Sequence, residues 1–344
     1  MERKCVYIRH GPCPDGLWAA LPFWLAVPSE VRGRLGPDPE KCNHREAARR
    51  GDPLFFGARP GNKPPPADLL AGRHVYLLDF CYDGGGLATL LERVGPEGRI
   101  TIIDHHASNV SVAKHAQDLD PDRVEVLIDT ERSAAQISWE FVRARGIFDG
   151  ECPVLVPYIA DHDLWKWELP DSREINAGLE LQGHNDSLCR AGGLYRAIVS
   201  DTRFVEGLIL AGGPIVRYRM KFVESAARYS ALATVRTKTA ETYTVRVVNA
   251  PFFQNEIGHA MAKMADRSGA LPDFAAVWYH SHHGDGSIKV SLRRRKSGTV
   301  DLSEIAANIE GATRGGGHPS AAGCVFPAGD VREFFRPLCR KRSQ

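Results

Sequence analysis

Four clusters of carboxylate and imidazole groups punctuate the first half of the chain: His10 with Asp15-Gly16, Asp79, Asp104-His105-His106, and Asp161-His162-Asp163. Carboxylates and neutral imidazoles together suit manganese or a similar divalent ion. Singly, each has a bland explanation, since an Asp at a strand end often caps the next helix and an isolated His is usually a satisfied polar residue. The Asp104-His105-His106 run resists that reading: three polar groups crowded into a partly buried turn need partners, and a metal supplies them. Near the other end, Arg314-Gly315-Gly316-Gly317-His318 opens a stretch reaching Gly323. Bare glycine amides can approach an anion closely, so this reads as a phosphate-binding loop with Arg314 and His318 as flanking partners. The alternative is a flexible turn between a helix ending near Ile309 and a strand at Gly323 to Phe326.

Lesser candidates surround these. Arg132 and Ser133 open a helix, and a helix N-terminus beside an Arg favours an anion; a simple Ser cap is equally compatible. Trp165 and Trp167 could stack on a base or pack between helices. Arg293, Arg294, Arg295 and Lys296 follow a strand pattern, so alternate members would face opposite sides or line a solvated edge.

The elements that must position these residues can be read from apolar periodicity. Cys5 to Arg9 reads as a strand, followed by a helix from Asp15 to Ala26 that Pro22 interrupts. Gly33 to Gly72, rich in Pro, Gly and charge, reads as a long surface excursion with at most a brief strand at Leu54-Phe55-Phe56. Val75 to Asp79, Ile100 to Asp104 and Val124 to Ile128 read as strands alternating with helices. That alternation predicts an α/β fold with a doubly wound, mostly parallel sheet, and places His10, Asp79 and Asp104-His105-His106 at the strand ends where ligands bind such sheets. Residues 1–195 are expected to form the metal-binding domain and 196–230 a helical linker. A smaller α/β domain, 231–344, is expected to carry the glycine run.

Bulk properties set the outer limits. A chain of 344 residues with 43% hydrophobic content suits two globular domains. No apolar run approaches bilayer length and no hydrophobic signal region follows Met1, so a soluble, cytoplasmic protein is expected. The eight cysteines are scattered, without the spacing of a zinc ribbon or disulfide scaffold. A net charge of +2 leaves any attraction to polyanions to local clusters.

In this order the motifs resemble those of the DHH phosphoesterase superfamily with its DHH-associated C-terminal domain. His10-Gly-Pro-Cys13-Pro-Asp15-Gly16 resembles the first motif, Leu78-Asp79-Phe80 the second, Asp104-His105-His106 the third, Asp161 the fourth, and Gly315-Gly316-Gly317-His318 the C-terminal signature. The resemblance implies one metal held by Asp15, Asp79, His105 and Asp161, and another by His10 and the bridging Asp79. Asp79, Asp104, His105 and His106 form the implied catalytic set, and the substrate phosphate is implied on His106, Arg132 and Arg314 to His318. Cys13 departs from the pattern, standing where many members carry an Asp. A soft thiolate suits manganese poorly, so Cys13 is expected to be a bystander, with zinc the ion that would favour it as a ligand.

The implied cofactor is Mn²⁺, with Mg²⁺ or Zn²⁺ as alternatives. The implied activity is hydrolysis of phosphodiester bonds in short single-stranded oligonucleotides or related small nucleotides by a metal-activated water. An exopolyphosphatase or phosphomonoesterase is the alternative within the enzyme class. A nucleotide-binding regulatory protein with reduced catalysis is the alternative outside it. No membrane partner is expected, and a homodimer is left open.

Overall fold

The computed structural model describes residues 4–200, 203–281 and 285–337. The chain divides into two compact units, Met1–Val216 and Arg217–Gln344.

The first unit is built on strands β1 (Cys5–His10), β2 (Leu54–Ala58), β3 (His74–Leu78), β4 (Arg99–Asp104) and β5 (Val124–Ile128). All pair in parallel, in the order β2-β1-β3-β4-β5. Parallel strands need crossovers, and helices supply them. Helices α1 (Pro14–Ala26) and α7 (Ala134–Ala144) pack together on one face, and α5 (Gly84–Val94) and α6 (Val110–Leu119) contact β4 and β5. With both faces covered, the strands read as continuous apolar runs. Val6, Ile8, Val75, Leu77, Leu78, Ile100, Ile102 and Ile103 are all fully buried or nearly so.

Two expectations are corrected here. Pro22 does not interrupt α1, which continues to Ala26; Asp15 to Trp24 are buried throughout, and that packing outweighs the roughly 3 kcal/mol penalty of an interior proline. The Gly33 to Gly72 stretch is not merely a surface excursion. It contains part of α2 (Ser29–Leu35), α3 (His44–Arg50), edge strand β2 and α4 (Ala67–Leu70). Its anchor is Asp52, buried and paired with Arg34 at 2.9 Å and Arg50 at 2.8 Å. Charge-rich composition concealed this order, because its apolar residues lie in short pieces that pack onto the sheet edge.

Helices α8 (Val156–Asp163), α9 (Ser172–Leu181), α10 (Leu188–Ser200) and α11 (Arg203–Arg228) follow, and the division between the units falls within α11. The second unit holds β6 (Ala231–Arg236), β7 (Thr242–Asn249), α12 (Gln254–Ala262), β8 (Phe274–His280), β9 (Ile288–Arg293), α13 (Leu302–Asn308), β10 (Arg314–His318), β11 (Ala321–Phe326) and β12 (Arg336–Pro337). Its mixed sheet runs β10-β11-β9-β8-β7-β6-β12 and has its own core around Phe274, Val290, Leu292, Ile305 and Phe326. No helix among the described residues is long and apolar enough to cross a membrane.

Candidate metal centre

The strand order of the first unit reverses between β1 and β3, which opens a crevice at their carboxyl ends. His10 ends β1, Asp79 follows β3, and Asp104 ends β4, so three of the four motif clusters reach this edge. Gly16 brings in the rest of the first cluster: a Cβ there would lie 2.5 Å from the His10 carbonyl oxygen, so only glycine allows α1 to start this close to β1. Asp15 is thereby buried next to the strand ends.

Asp79 adopts φ of 56°, a left-handed conformation that Asp tolerates better than most residues but at some cost. Its amide donates to the Ile103 carbonyl at 2.9 Å, which turns the carboxylate into the crevice. There His10 Nδ1 stands 3.4 Å from Asp79 Oδ2 and His105 Nε2 3.2 Å from Asp79 Oδ1. His105 Nε2 is also 3.2 Å from Asp163 Oδ2 and 3.9 Å from Asp15 Oδ2.

These side chains form two adjoining groups, His10-Asp79-His106 and Asp15-His105-Asp163, within each of which the ligand atoms lie within 4.8 Å of one another. His10 Nδ1, both Asp79 oxygens and His105 Nε2 are buried without a well-formed hydrogen bond. Each such group left unsatisfied costs about 1–3 kcal/mol, and divalent cations in the two groups would satisfy all four. The residues present fit such an ion.

Electrostatics points the same way. Burial and the charges of Asp163 and Asp79 raise the Asp15 carboxyl well above the usual range. Burial and Asp79 push Asp163 up to about 6. His105 is pushed up to about 10: burial opposes this, but Asp79 at 3.2 Å and the charges of Asp163 and Asp15 prevail. Three carboxylates crowd one imidazole, and protons held here are those a cation displaces.

Asp104 stands behind the cluster. Fully buried, its Oδ1 accepts from the His105 and His106 amides at 2.7 and 3.2 Å and from His106 Nδ1 at 2.7 Å, and its Oδ2 accepts from Asn109 Nδ2 at 2.7 Å. Despite burial, these bonds hold its carboxyl below the usual range. It folds the turn and sets the ring of His106.

The helix-terminus reading of Arg132 and Ser133 takes a different form. Ser133 caps α7 in a reciprocal pair with Gln136, but the anion at the terminus is Asp15 itself, accepting from the Ala134 and Ala135 amides at 2.7 and 3.2 Å. Arg132 is occupied by Asp129 at 2.7 Å and by Glu140.

At the fourth motif, the carboxylate that α8 brings into the groups is Asp163, and Asp161 is in neither. Two residues apart on a helix lie about 200° apart around its axis, so the two cannot point alike. Asp161 Oδ1 accepts from the Glu168 amide at 2.8 Å, while its backbone carbonyl accepts from the Lys166 amide at 2.9 Å. It organises the turn in which Trp165 and Trp167, each with φ of 55°, pack edge to face at 5.2 Å. Its Oδ2 remains buried without a partner. Cys13 occupies the N-cap position of α1 without a capping bond from its side chain and belongs to neither group; burial and the charges of Asp79, Asp163 and Asp15 push its thiol far up.

Beside the first group lies a hollow of about 370 Å³ lined by His10, Asp79, Phe80, His106, Asn62 and Asn109. Sequence reading missed Asn62 and Asn109. The signal for Asn109 was its place three residues after His106; Asn62 lay in the stretch read as an excursion.

In the second unit the glycine run is not a loop but strand β10, paired antiparallel with β11. Its glycines answer to packing on one face: a Cβ on Gly315 would lie 1.9 Å from the Ala306 carbonyl of α13, whereas Gly316 has nothing within 4 Å. Gly316 lies against an open groove of about 440 Å³, to which Lys289, Ser291 and Arg293 contribute from alternate positions of β9, with Tyr279 and Gly323. Burial pushes the Arg293 guanidinium down to about 10. Arg294 and Arg295 instead donate to the Pro319 and Pro272 carbonyls at 2.9 and 2.6 Å.

Residues 241–341 match the DHHA1 domain family. No curated protein matches the chain. Among solved structures, similarity extends to one titled as the DHH domain of a member of a family of ribosomal proteins (16% identity, 96% of this chain and 84% of that one, TM-score 0.49). It extends also to an exopolyphosphatase-related protein from Bacteroides fragilis (13%, 96% and 89%, 0.42) and to an uncharacterized protein from Helicobacter pylori (13%, 93% and 92%, 0.32). The second unit thus carries a DHHA1 domain, and in the first the Asp104-His105-His106 turn is seated among strand-end carboxylates that could hold a metal ion.

Proposed function

We propose that this protein is a manganese-dependent phosphodiesterase that hydrolyses short single-stranded oligonucleotides or related small nucleotides. The observation that carries the reading is the set of buried, unpartnered atoms His10 Nδ1, Asp79 Oδ1 and Oδ2, and His105 Nε2, gathered where the strand order reverses. His10 and Asp79 would hold one ion, and Asp15, His105 and Asp163 another. A divalent ion supplies Lewis acidity, neutralising charge on phosphoryl oxygens and acidifying water.

The chain's own residues do the rest. Asp104 holds His106 through Nδ1, and a ring so held can donate to a phosphate oxygen from its other nitrogen. Asp79, pinned by its amide to Ile103, keeps its carboxylate preorganised at the reacting edge. The hollow beside His10 and His106 has aromatic and amide walls suited to the part of a nucleotide next to the cleaved bond. In the second unit, Lys289 and Arg293 flanking the side-chain-free backbone of Gly316 and Gly323 suit a phosphodiester backbone, and Tyr279 offers a ring to a base.

The test is incubation of the full chain with RNA and DNA of about two to ten nucleotides, the range of single-strand sites, and with inorganic polyphosphate. Manganese, magnesium and chelator are compared, with Asp79→Ala as the control. Manganese-dependent release of nucleoside monophosphates, absent in the control, is expected. Release of orthophosphate from polyphosphate with intact oligonucleotides would replace the reading by an exopolyphosphatase. No cleavage of either would overturn it.

A further inference from the structure

At the amino end of the first unit's sheet, away from the metal centre, lies a hollow of about 350 Å³ to which Lys4, Arg45, Arg49 and Arg73 all contribute. Lys4 precedes β1 and Arg73 precedes β3, while His10 and Asp79 lie at the other ends of those strands. A six-residue strand separates the two edges by about 17 Å. The hollow therefore belongs neither to the crevice nor to the groove of the second unit.

Its charge is unbalanced. The one carboxylate in the lining, Asp68, is paired with Arg45 at 3.0 Å. The nearby Asp52 is already shared by Arg34 and Arg50. Among the described residues no carboxylate pairs with Lys4, Arg49 or Arg73. Arg73 is only 5% exposed, and its guanidinium donates to the Asp52 and Ala48 backbone carbonyls, both at 3.1 Å. A buried guanidinium whose hydrogen bonds go to neutral carbonyls is balanced only through space, by an Asp52 carboxylate that Arg34 and Arg50 already share. Arg45 and Arg49 meet it from one face of α3, being four residues apart. Holding like charges around one concavity is unfavourable, and a multiply charged anion reverses the sign of that term.

We propose that this hollow binds a small phosphate-bearing anion carrying at least two charges, such as a diphosphate group, at a site separate from the metal centre. A guanidinium fork held by backbone carbonyls gives fixed geometry, and Lys4 and Arg49, both exposed, close on the anion from the solvent side. The volume accommodates a diphosphate with room for an attached nucleoside.

The test is calorimetric titration of the full chain, with chelator present, using inorganic pyrophosphate and ADP as probes. The Lys4→Ser/Arg49→Ser double variant is expected to bind at least one probe tenfold or more weakly than the wild type. Arg267→Ser, which removes an exposed charge from the second unit, should leave binding unchanged. Equal losses for both probes support a site that reads phosphates alone; a larger loss for ADP supports one that also holds the nucleoside. Manganese-dependent turnover of the double variant should equal that of the wild type. Absence of binding by the wild type, equal affinities in wild type and double variant, or a parallel loss of turnover would each overturn the proposal. Because binding is read without metal, the binding outcomes decide the proposal even if no phosphodiester is cleaved, and the turnover comparison applies where the wild type turns over.

Discussion

Asp104 and Asp79 differ in what they touch, and their variants should differ accordingly. Asp104 orients the ring of His106 from behind, so Asp104→Asn should keep manganese affinity but lower kcat about 10–100-fold, the range for groups that orient a ligand or catalytic ring. Equal affinity with unchanged kcat would leave Asp104 only its structural bonds. Asp163 and Asp161 make a second contrast. Asp163→Asn should weaken manganese binding at least tenfold by calorimetry, whereas Asp161→Asn should mainly loosen the Trp165–Glu168 turn, seen as altered tryptophan fluorescence; the reverse pattern would return Asp161 to the ligand set. Sequence could point to α8 as the source of a carboxylate but not to which one, because helix phase at a C-terminus follows from packing. Likewise nothing in the sequence tied Asp15 to the amides of Ala134 and Ala135, a contact spanning 119 residues.

At the scale of elements, the strand ends were the legible part: runs such as Val75 to Asp79 and Ile100 to Asp104 mark both a buried strand and the residue it delivers. What escaped was order held by charge and by close backbone approach. Asp52 anchors the segment between β1 and β3, where burial opposes ionisation but Arg50 and Arg34 together hold its carboxyl below its ordinary value. A carboxyl depressed on folding contributes stability above its unfolded pKa and loses it as pH falls towards the folded value. Asp52→Asn should therefore cost about 1–2 kcal/mol at neutral pH, discounted for the exposure of both arginines, with the difference from wild type shrinking below about pH 4 in denaturant titrations. In the second unit the three glycines look alike in sequence but separate once β10 is seen against α13. Gly315→Ala should destabilise that unit by about 1–3 kcal/mol through overpacking. Gly316→Ala should leave stability unchanged and weaken oligonucleotide binding, which filter binding would show.

For the whole molecule, each unit carries its own core, and the candidate metal ligands all lie in the first. An ion that binds only the folded state at about one hundred times its Kd adds about 2.7 kcal/mol, which for a unit of this size is about 5–10 °C in Tm. Scanning calorimetry with manganese and with chelator should move the transition of the first unit by that amount and leave that of the second in place. An equal shift in both would mean that metal is held elsewhere as well.

The two bonds from α7 to Asp15 have a further implication, for inheritance. Position 15 answers to two demands, since the same carboxylate closes a helix terminus and belongs to a group that could hold a metal. A lineage that abandoned catalysis would still be selected to keep Asp15, because losing it would open the packing of α1 against α7. His10, whose Nδ1 has no structural partner, would be released to drift at once. In descendants of this chain, therefore, an aspartate at position 15 would be poor testimony to activity, and the histidine at position 10 a better witness.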